Sequence, residues 1–311
     1  MIRKVKTRNY EEWKALRKQY IGGSDAAAVL GMNAYRSRYT LWAEKTGRIP
    51  EFEGNLATDV GTYFEDFIAK RFEQEKGKKV RKETYSIFND EFPWAIANVD
   101  RVIVGEDAIL ECKFTDSLNL KRYKNGEFPD RFYVQCVHYL AVTGKKKAYL
   151  AVLIGNKEFK VFEIYRDEAE IAALMAEEEA FMELIKTDTA PATDGTESTT
   201  ETIKTIYADS NEDTVNLFAY EDALNQYMAV QAQIKELEAI KDEMANKVKV
   251  FMGEAGKGET DRFKVSWTSS EKNTFDSKAF ASDHPNLDLS QYYKTSTYRT
   301  FKVNKKVGAA Q

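Results

Sequence analysis

The stretch NVDRVIVGEDAILECKF, Asn98 to Phe114, constrains this chain more than any other. It reads as two strands joined through Gly105 and Glu106, and a two-residue turn with glycine first sets Asp100 directly opposite Glu111. In the second strand Ala108, Leu110, Cys112 and Phe114 make one apolar face, while Glu111 and Lys113 share the other. Taken alone, Glu111 and Lys113 fit an ordinary half-exposed strand with a solvated polar side. Their neighbour Asp100 changes that, because like charges opposed across a hairpin cost up to about 1 kcal/mol. A divalent cation between the carboxylates turns that cost into a binding site. Register decides the matter, since a slip of one residue sends Asp100 to the other face.

Composition removes most other chemistries. Cys112 and Cys136 are the two cysteines, and His138 and His284 the two histidines. That is too few for a four-cysteine cluster, a disulfide framework or histidine-rich zinc. Neither a G-x-S-x-G elbow nor a G-x-x-x-x-G-K-[ST] loop is present. A metal here is held by oxygen, which favours Mg²⁺, with Mn²⁺ as a substitute. Lys113, two residues past Glu111, then stands beside the same ion. An ammonium there orients a water and stabilises charge growing on a phosphate under attack.

The net charge of -4 is unevenly spread: residues 1–48 hold 11 Lys and Arg against 4 Asp and Glu. That local excess suits a phosphate-facing patch. There is no run of about 18 apolar residues, and the opening MIRKVKTRNYEEWKALRKQY lacks an apolar signal-peptide core. The expectation is a cytoplasmic protein without a membrane anchor.

Along the chain, YEEWKALRKQY and GGSDAAAVLGM predict short helices, the second capped by Ser24. A long helix follows over 56–76, with Leu56, Val60, Phe64, Phe67, Ile68 and Phe72 as its apolar stripe. Strands are expected at 82–88, 95–104 and 108–115, then a helix in DRFYVQCVHYLAV and a closing hairpin from KAYLAVLIG and EFKVFEIYR. This order predicts an α/β layer domain over 1–186. TDTAPATDGTESTTET then breaks the pattern, so 187–213 is expected as a linker or extended surface segment. Over 214–311 the spacing predicts a long amphipathic helix followed by a small β module, with strands in DRFKVSWTSS and YYKTSTYRTFKVNKK.

Asp100, a gap and then Glu111-x-Lys113 across a hairpin resembles the PD-(D/E)XK nuclease superfamily. Further blocks narrow the resemblance: RKQYIGGSDAAAVLGMNAYRSRYTLWAEKTG, Gly61 and Glu65 in GTYFED, NVDRVI, LECK and YVQCVHYLAVTG. In order, they are similar to YqaJ-type phage recombinases, relatives of lambda exonuclease, over residues 17–165. The resemblance implies a restriction-endonuclease-like core, a central mixed sheet flanked by helices. It places metal ligands at Asp100, Glu111 and the Cys112 carbonyl, with Lys113 as catalytic lysine and Glu65 as a helical carboxylate near a second ion. Gln135 matches a glutamine bordering the site, and Tyr139 lies one turn further along the same face.

The resemblance also assigns a 5′-phosphate pocket to an arginine and a serine seven residues apart, the spacing of Arg17 and Ser24. A guanidinium fork suits phosphate, and a serine at a helix N-terminus adds a hydroxyl and backbone N–H groups. The implied activity is a Mg²⁺-dependent exonuclease resecting linear double-stranded DNA from its 5′ end, phage or prophage encoded. Its implied partners are double-stranded DNA ends, a single-strand annealing protein and further copies of itself in a trimeric ring. The rival readings are an endonuclease or repair nuclease on the same fold and a non-catalytic DNA-end-binding scaffold.

Overall fold

A computed structural model describes residues 1–294 and 296–306. The chain divides into two compact units, Met1–Tyr207 and Ala208–Gln311.

The first unit runs β1 (Ile2–Val5), α1 (Tyr10–Lys18), β2 (Ile21–Gly22), α2 (Gly23–Val29), α3 (Arg38–Lys45), α4 (Leu56–Lys76), β3 (Val80–Lys82) and β4 (Ser86–Asn89). It continues through β5 (Ala95–Ile96), β6 (Arg101–Ile103), β7 (Ala108–Thr115), α5 (Asp130–Thr143), β8 (Lys147–Ile154), β9 (Glu158–Tyr165), α6 (Glu168–Lys186) and α7 (Glu197–Ile206). The central sheet has five strands in the order β3-β6-β7-β8-β9. β7 and β8 are parallel and the other pairs antiparallel, so the sheet is mixed, as expected. A parallel pair needs a crossover, and α5 lies in that connection.

Two helices sandwich the sheet. The side chain of Asn55 accepts the Ala57 and Thr58 amides to start α4, and Gly77, at φ 64°, ends it. Between those caps, Ile68, Ala69 and Phe72 of α4 cluster with Ala108, Leu110, Cys112, Tyr149 and Ala151 on one sheet face. α5 covers the opposite face, where Val134, Val137, Leu140 and Ala141 join Ile109, Leu150 and Val152. The polar side of β7 is therefore not a wet surface: Glu111 is 2 % exposed. Alternation along β7 reports the two faces correctly, but it cannot reveal that the second is roofed by α5.

The β6–β7 register pairs Arg101 with Leu110 and Val102 with Ile109. This is the expected offset, and the next step along it sets Asp100 against Glu111. The turn itself is wider than expected, spanning 104–107 between the strand ends, with Gly105 at φ 80°. Ser24 is not the cap of α2. Gly22 occupies that position, and its amide donates to the Asp25 carboxylate at 3.1 Å.

The expected linker over 187–213 also needs correction, because α7 folds onto α3. Thr40 Oγ1 lies 2.8 Å from both Ser198 Oγ and Thr202 Oγ1, and Thr199 Oγ1 donates to Ser37 Oγ at 2.7 Å. Thr199 and Thr202 are buried. A helix seated through hydroxyl contacts carries almost no apolar stripe, so its composition reads as a loop.

The second unit contains α8 (Glu221–Met252), β10 (Lys257–Glu259), β11 (Lys264–Ser266) and α9 (Ser277–Asp283), with β10 and β11 antiparallel. Here the long helix and the strand in DRFKVSWTSS appear as expected. The strand expected in YYKTSTYRTFKVNKK does not: no strand lies among its described residues, and position 295 lies outside them. Alternation without a sheet edge to pair with makes no strand. Among the described residues no helix is long and apolar enough to cross a membrane.

Candidate active site

β7 carries Glu111 and Lys113 beneath α5, and α5 answers with Gln135 and Tyr139 one turn apart. Gln135 Nε2 donates to Glu111 Oε1 at 2.7 Å and lies 3.0 Å from the Tyr139 hydroxyl. Lys113 Nζ stands 2.7 Å from the same Glu111 oxygen, over the Phe132 ring at 5.2 Å. From the end of β6, Asp100 Oδ2 accepts the Cys112 amide at 2.7 Å. The Cys112 side chain points the other way, into the apolar cluster under α4, so only its backbone faces the carboxylates.

Burial, and then the neighbouring Asp100 charge, push the Glu111 carboxyl up to about 8. Asp100 is raised by burial, against the pull of Lys113. Glu65 on α4 is raised by burial and by Asp100, so it belongs to the same field of like charge. Burial alone would discharge Lys113, but Glu111 and Asp100 outweigh it and the ammonium is held above its ordinary value. Carboxyls that resist ionising even with Lys113, Arg101 and Lys82 acting on them are short of positive charge.

The other oxygen of Glu111, Oε2, is buried without a hydrogen-bond partner. An orphaned carboxylate oxygen among further carboxylates is the donor chemistry that Mg²⁺ or Mn²⁺ takes. Among the described residues, no three His, Cys, Asp or Glu side chains already converge as a closed metal cage. The fit therefore rests on Asp100 and Glu111, with Glu65 at a greater remove.

Arg17 and Ser24, which the family resemblance pairs, are in contact: Arg17 Nη2 donates to Ser24 Oγ at 2.7 Å. The Arg17 guanidinium also lies over the Trp13 ring at 5.0 Å. Behind them sits a carboxylate that the sequence reading did not single out. Asp25 is buried, with Arg36 Nη1 at 2.5 Å, Lys45 Nζ at 3.0 Å and Arg17 Nη2 at 3.8 Å. Burial opposes its charge, yet Lys45, Arg36 and Arg17 hold its carboxyl well below the ordinary range. The available signal was an acid embedded in an otherwise basic block.

Arg17 and Ser24 line a cleft of about 1130 Å³, to which the carboxylate group contributes Lys113 and Gln135, with Trp13 and Arg131 among the other lining residues. A smaller hollow of about 230 Å³ is lined by Trp13, Glu65, Lys82, Asp100 and Arg101. Trp13 is common to the two. Gly23 explains how the halves are fitted together: a side chain there would overlap the Tyr139 ring, whose hydroxyl belongs to the Glu111 network.

Residues 12–146 match the model of the YqaJ-like viral recombinase domain. The YqaJ protein of Bacillus subtilis (strain 168) is 37 % identical over 299 residues, covering 94 % of this chain and 93 % of that protein. This chain belongs to the YqaJ family. An alkaline exonuclease from Laribacter hongkongensis has the same fold, with TM-score 0.51 and 23 % identity over 58 % of this chain and 94 % of that one. That exonuclease in complex with dAMP matches likewise, at TM-score 0.51 and 24 % identity over the same shares. In this YqaJ family member, Asp100, Glu111, Lys113 and Gln135 all lie inside the matched region, as do Arg17 and Ser24.

Proposed function

We propose that this protein is a divalent-metal-dependent deoxyribonuclease, a 5′ to 3′ exonuclease acting on linear double-stranded DNA ends. The observation that carries the reading is the unpartnered Glu111 Oε2, buried beside Asp100 and against Lys113 and Gln135, which line the same cleft as the Arg17–Ser24 pair. Family membership and the shared fold with an alkaline exonuclease support it.

Asp100, Glu111 and the Cys112 carbonyl would hold Mg²⁺ or Mn²⁺, with Glu65 serving a second ion. When bound, such ions activate water and neutralise charge on the leaving oxygen. Gln135 fixes the Glu111 carboxylate by donating to it, which leaves the other oxygen free to face the ion. Lys113 stays charged and stabilises the phosphate as negative charge grows on it. Arg17 and Ser24 would hold the terminal 5′-phosphate, with Asp25 keeping Arg17, Arg36 and Lys45 aligned behind it. In the host cell the product strand would pass to a single-strand annealing protein, with the nuclease acting as a ring-shaped trimer on the duplex.

The test is digestion of linear duplexes bearing 5′-phosphate or 5′-hydroxyl ends, and of closed circular DNA, with Mg²⁺ and with EDTA. Mg²⁺-dependent loss of linear DNA, fastest from 5′-phosphate ends and absent on closed circles, is the expected result. Cleavage of closed circles would point to an endonuclease instead. Binding of ends without cleavage under any divalent ion would leave an end-binding scaffold.

A further inference from the structure

The second unit is divided in charge along its sequence. Residues 208–288 hold 16 Asp and Glu against 9 Lys and Arg, whereas 289–306 hold 5 Lys and Arg and neither Asp nor Glu. The cations of that last segment, Lys294, Arg299, Lys302, Lys305 and Lys306, are interleaved with four rings, Tyr292, Tyr293, Tyr298 and Phe301. A short turn at Ser290–Tyr292 is the only regular structure among its described residues. Arg299 Nη1 donates to the Asp209 carbonyl at 3.4 Å, and Phe301 meets Tyr227 of α8 edge-on at 5.6 Å, which ties the segment to its own unit. The other rings face water: Tyr292, Tyr293 and Tyr298 are 75 %, 67 % and 81 % exposed.

Exposed rings among uncompensated cations answer two features of one ligand. Unpaired bases present flat faces that stack on aromatic side chains, and the backbone joining them carries a phosphate at every step. A duplex hides those faces, so it would engage the cations and leave the rings idle. The acidic remainder of the unit repels phosphate, which confines the contact to this segment. We propose that residues 289–306 bind single-stranded DNA, with Tyr292, Tyr293 and Tyr298 stacking on bases and Lys294, Lys302 and Lys305 contacting phosphates. The choice of DNA over RNA rests on the deoxyribonuclease reading above, in which digestion leaves one strand unpaired. The stacking argument does not rest on it.

Fluorescence anisotropy of the full chain in EDTA tests this, with labelled oligothymidylate and oligouridylate of about 30 nucleotides and a blunt duplex of the same length. Wild type should bind the oligothymidylate. Tyr292→Ala, Tyr293→Ala and Tyr298→Ala together should weaken that binding at least about tenfold and leave duplex binding unchanged. Tyr292→Phe, Tyr293→Phe and Tyr298→Phe together should bind as wild type, because stacking needs the ring and not the hydroxyl. Lys294→Gln, Lys302→Gln and Lys305→Gln together should lower the slope of log affinity against log salt by about 2, at about 0.7 for each phosphate contact. A wild type that does not bind the oligothymidylate overturns the proposal and leaves the segment to a protein partner. The proposal also fails if the alanine variant binds as wild type, if it loses the duplex equally, or if the phenylalanine variant is as weak as the alanine one. Tighter binding of oligouridylate than of oligothymidylate overturns the choice of DNA. Digestion of short linear duplexes with Mg²⁺ should be the same for wild type and the alanine variant. A wild type that digests nothing yet shows these binding differences would sink the nuclease reading alone.

Discussion

The Tyr139 ring occupies the space that any side chain on Gly23 would need. Gly23 opens α2 beside Ser24, and Tyr139 reaches through Gln135 to Glu111, so this one contact sets the Arg17–Ser24 pair against the carboxylates. Tyr139 is buried and cannot swing away. Gly23→Ala is therefore expected to destabilise the fold by about 1 to 3 kcal/mol through overpacking. The two residues share one space, so Gly23→Ala combined with Tyr139→Leu should cost less than the sum of the singles. Thermal unfolding of the four proteins measures this, and strict additivity would show that the contact is not made.

Much of this site was legible in the sequence because strand chemistry is local. The β6–β7 offset agrees with glycine and alternation although the turn is longer than two residues, while the pairing of Arg17 with Ser24 came from the family resemblance and not from the residues alone. What escaped notice depends on distant elements. Nothing in AILECKF announces α5 as a roof over Glu111, and nothing near Gly23 announces Tyr139, more than a hundred residues away. Asp25 went unremarked because its role comes from Lys45 and Arg36 closing over it. α7 was missed for the same reason, since hydroxyl packing leaves no periodic apolar trace.

Stability without metal should fall as pH rises. Glu111 has a folded value of about 8 against an ordinary 4.5, so the native state retains a proton that the unfolded chain gives up. A raised carboxyl contributes its full stability below the unfolded value and loses it as pH climbs through the folded one. His138 has the same sign, so the wild-type slope alone does not isolate Glu111. The difference between wild type and Glu111→Gln does. With metal removed, the variant should gain stability relative to wild type between about pH 5 and pH 8.5. Mg²⁺ should raise the wild-type melting temperature at the alkaline end and leave the variant nearly unmoved. A parallel pH dependence in both proteins would mean that Glu111 is not the strained carboxylate.

Arg17→Ala should discriminate between DNA ends. Loss of a guanidinium contact to phosphate is worth about 1.5 to 3 kcal/mol, roughly ten- to a hundredfold in rate. The loss should appear with 5′-phosphate ends and be small with 5′-hydroxyl ends, read from initial digestion rates. Equal slowing on both would reassign Arg17 to general backbone binding.

His138 tests the opposite outcome, a large structural effect away from the cleft. Its two ring nitrogens lie 2.8 Å from Glu178 Oε1 and 3.0 Å from the Ile96 carbonyl, with imidazole and carboxylate both fully buried. Burial disfavours the imidazolium, but Glu178 and the Ile96 carbonyl outweigh it, so the pair keeps its proton. Removing one partner of a buried pair leaves the other uncompensated. His138→Ala should cost about 3 to 5 kcal/mol while the 5′-phosphate to 5′-hydroxyl rate ratio of the folded fraction stays that of wild type. A changed ratio at unchanged stability would place His138 in the chemistry instead.

The boundary of the first unit can be tested by where the chain is cut. α7 binds α3 through buried threonines, and α3 carries Glu44 and Lys45, which contact Arg36 and Asp25 behind Arg17. Ending the chain at Lys186 removes α7 and uncovers Ser37 and Thr40, whose hydroxyls lose their buried partners. Ending it at Tyr207 removes none of these contacts. The longer form is therefore expected to fold and retain Mg²⁺-dependent cleavage of short duplexes. The shorter form should be less stable by several hydrogen bonds, about 1 kcal/mol each. Its damage should appear first in the preference for 5′-phosphate ends, because α3 supports that side of the cleft, while the carboxylates rest on β6, β7 and α5. If both forms melt together and digest alike, α7 is an ornament on α3. If the longer form folds and binds DNA ends but cleaves nothing, residues beyond Tyr207 complete the active site.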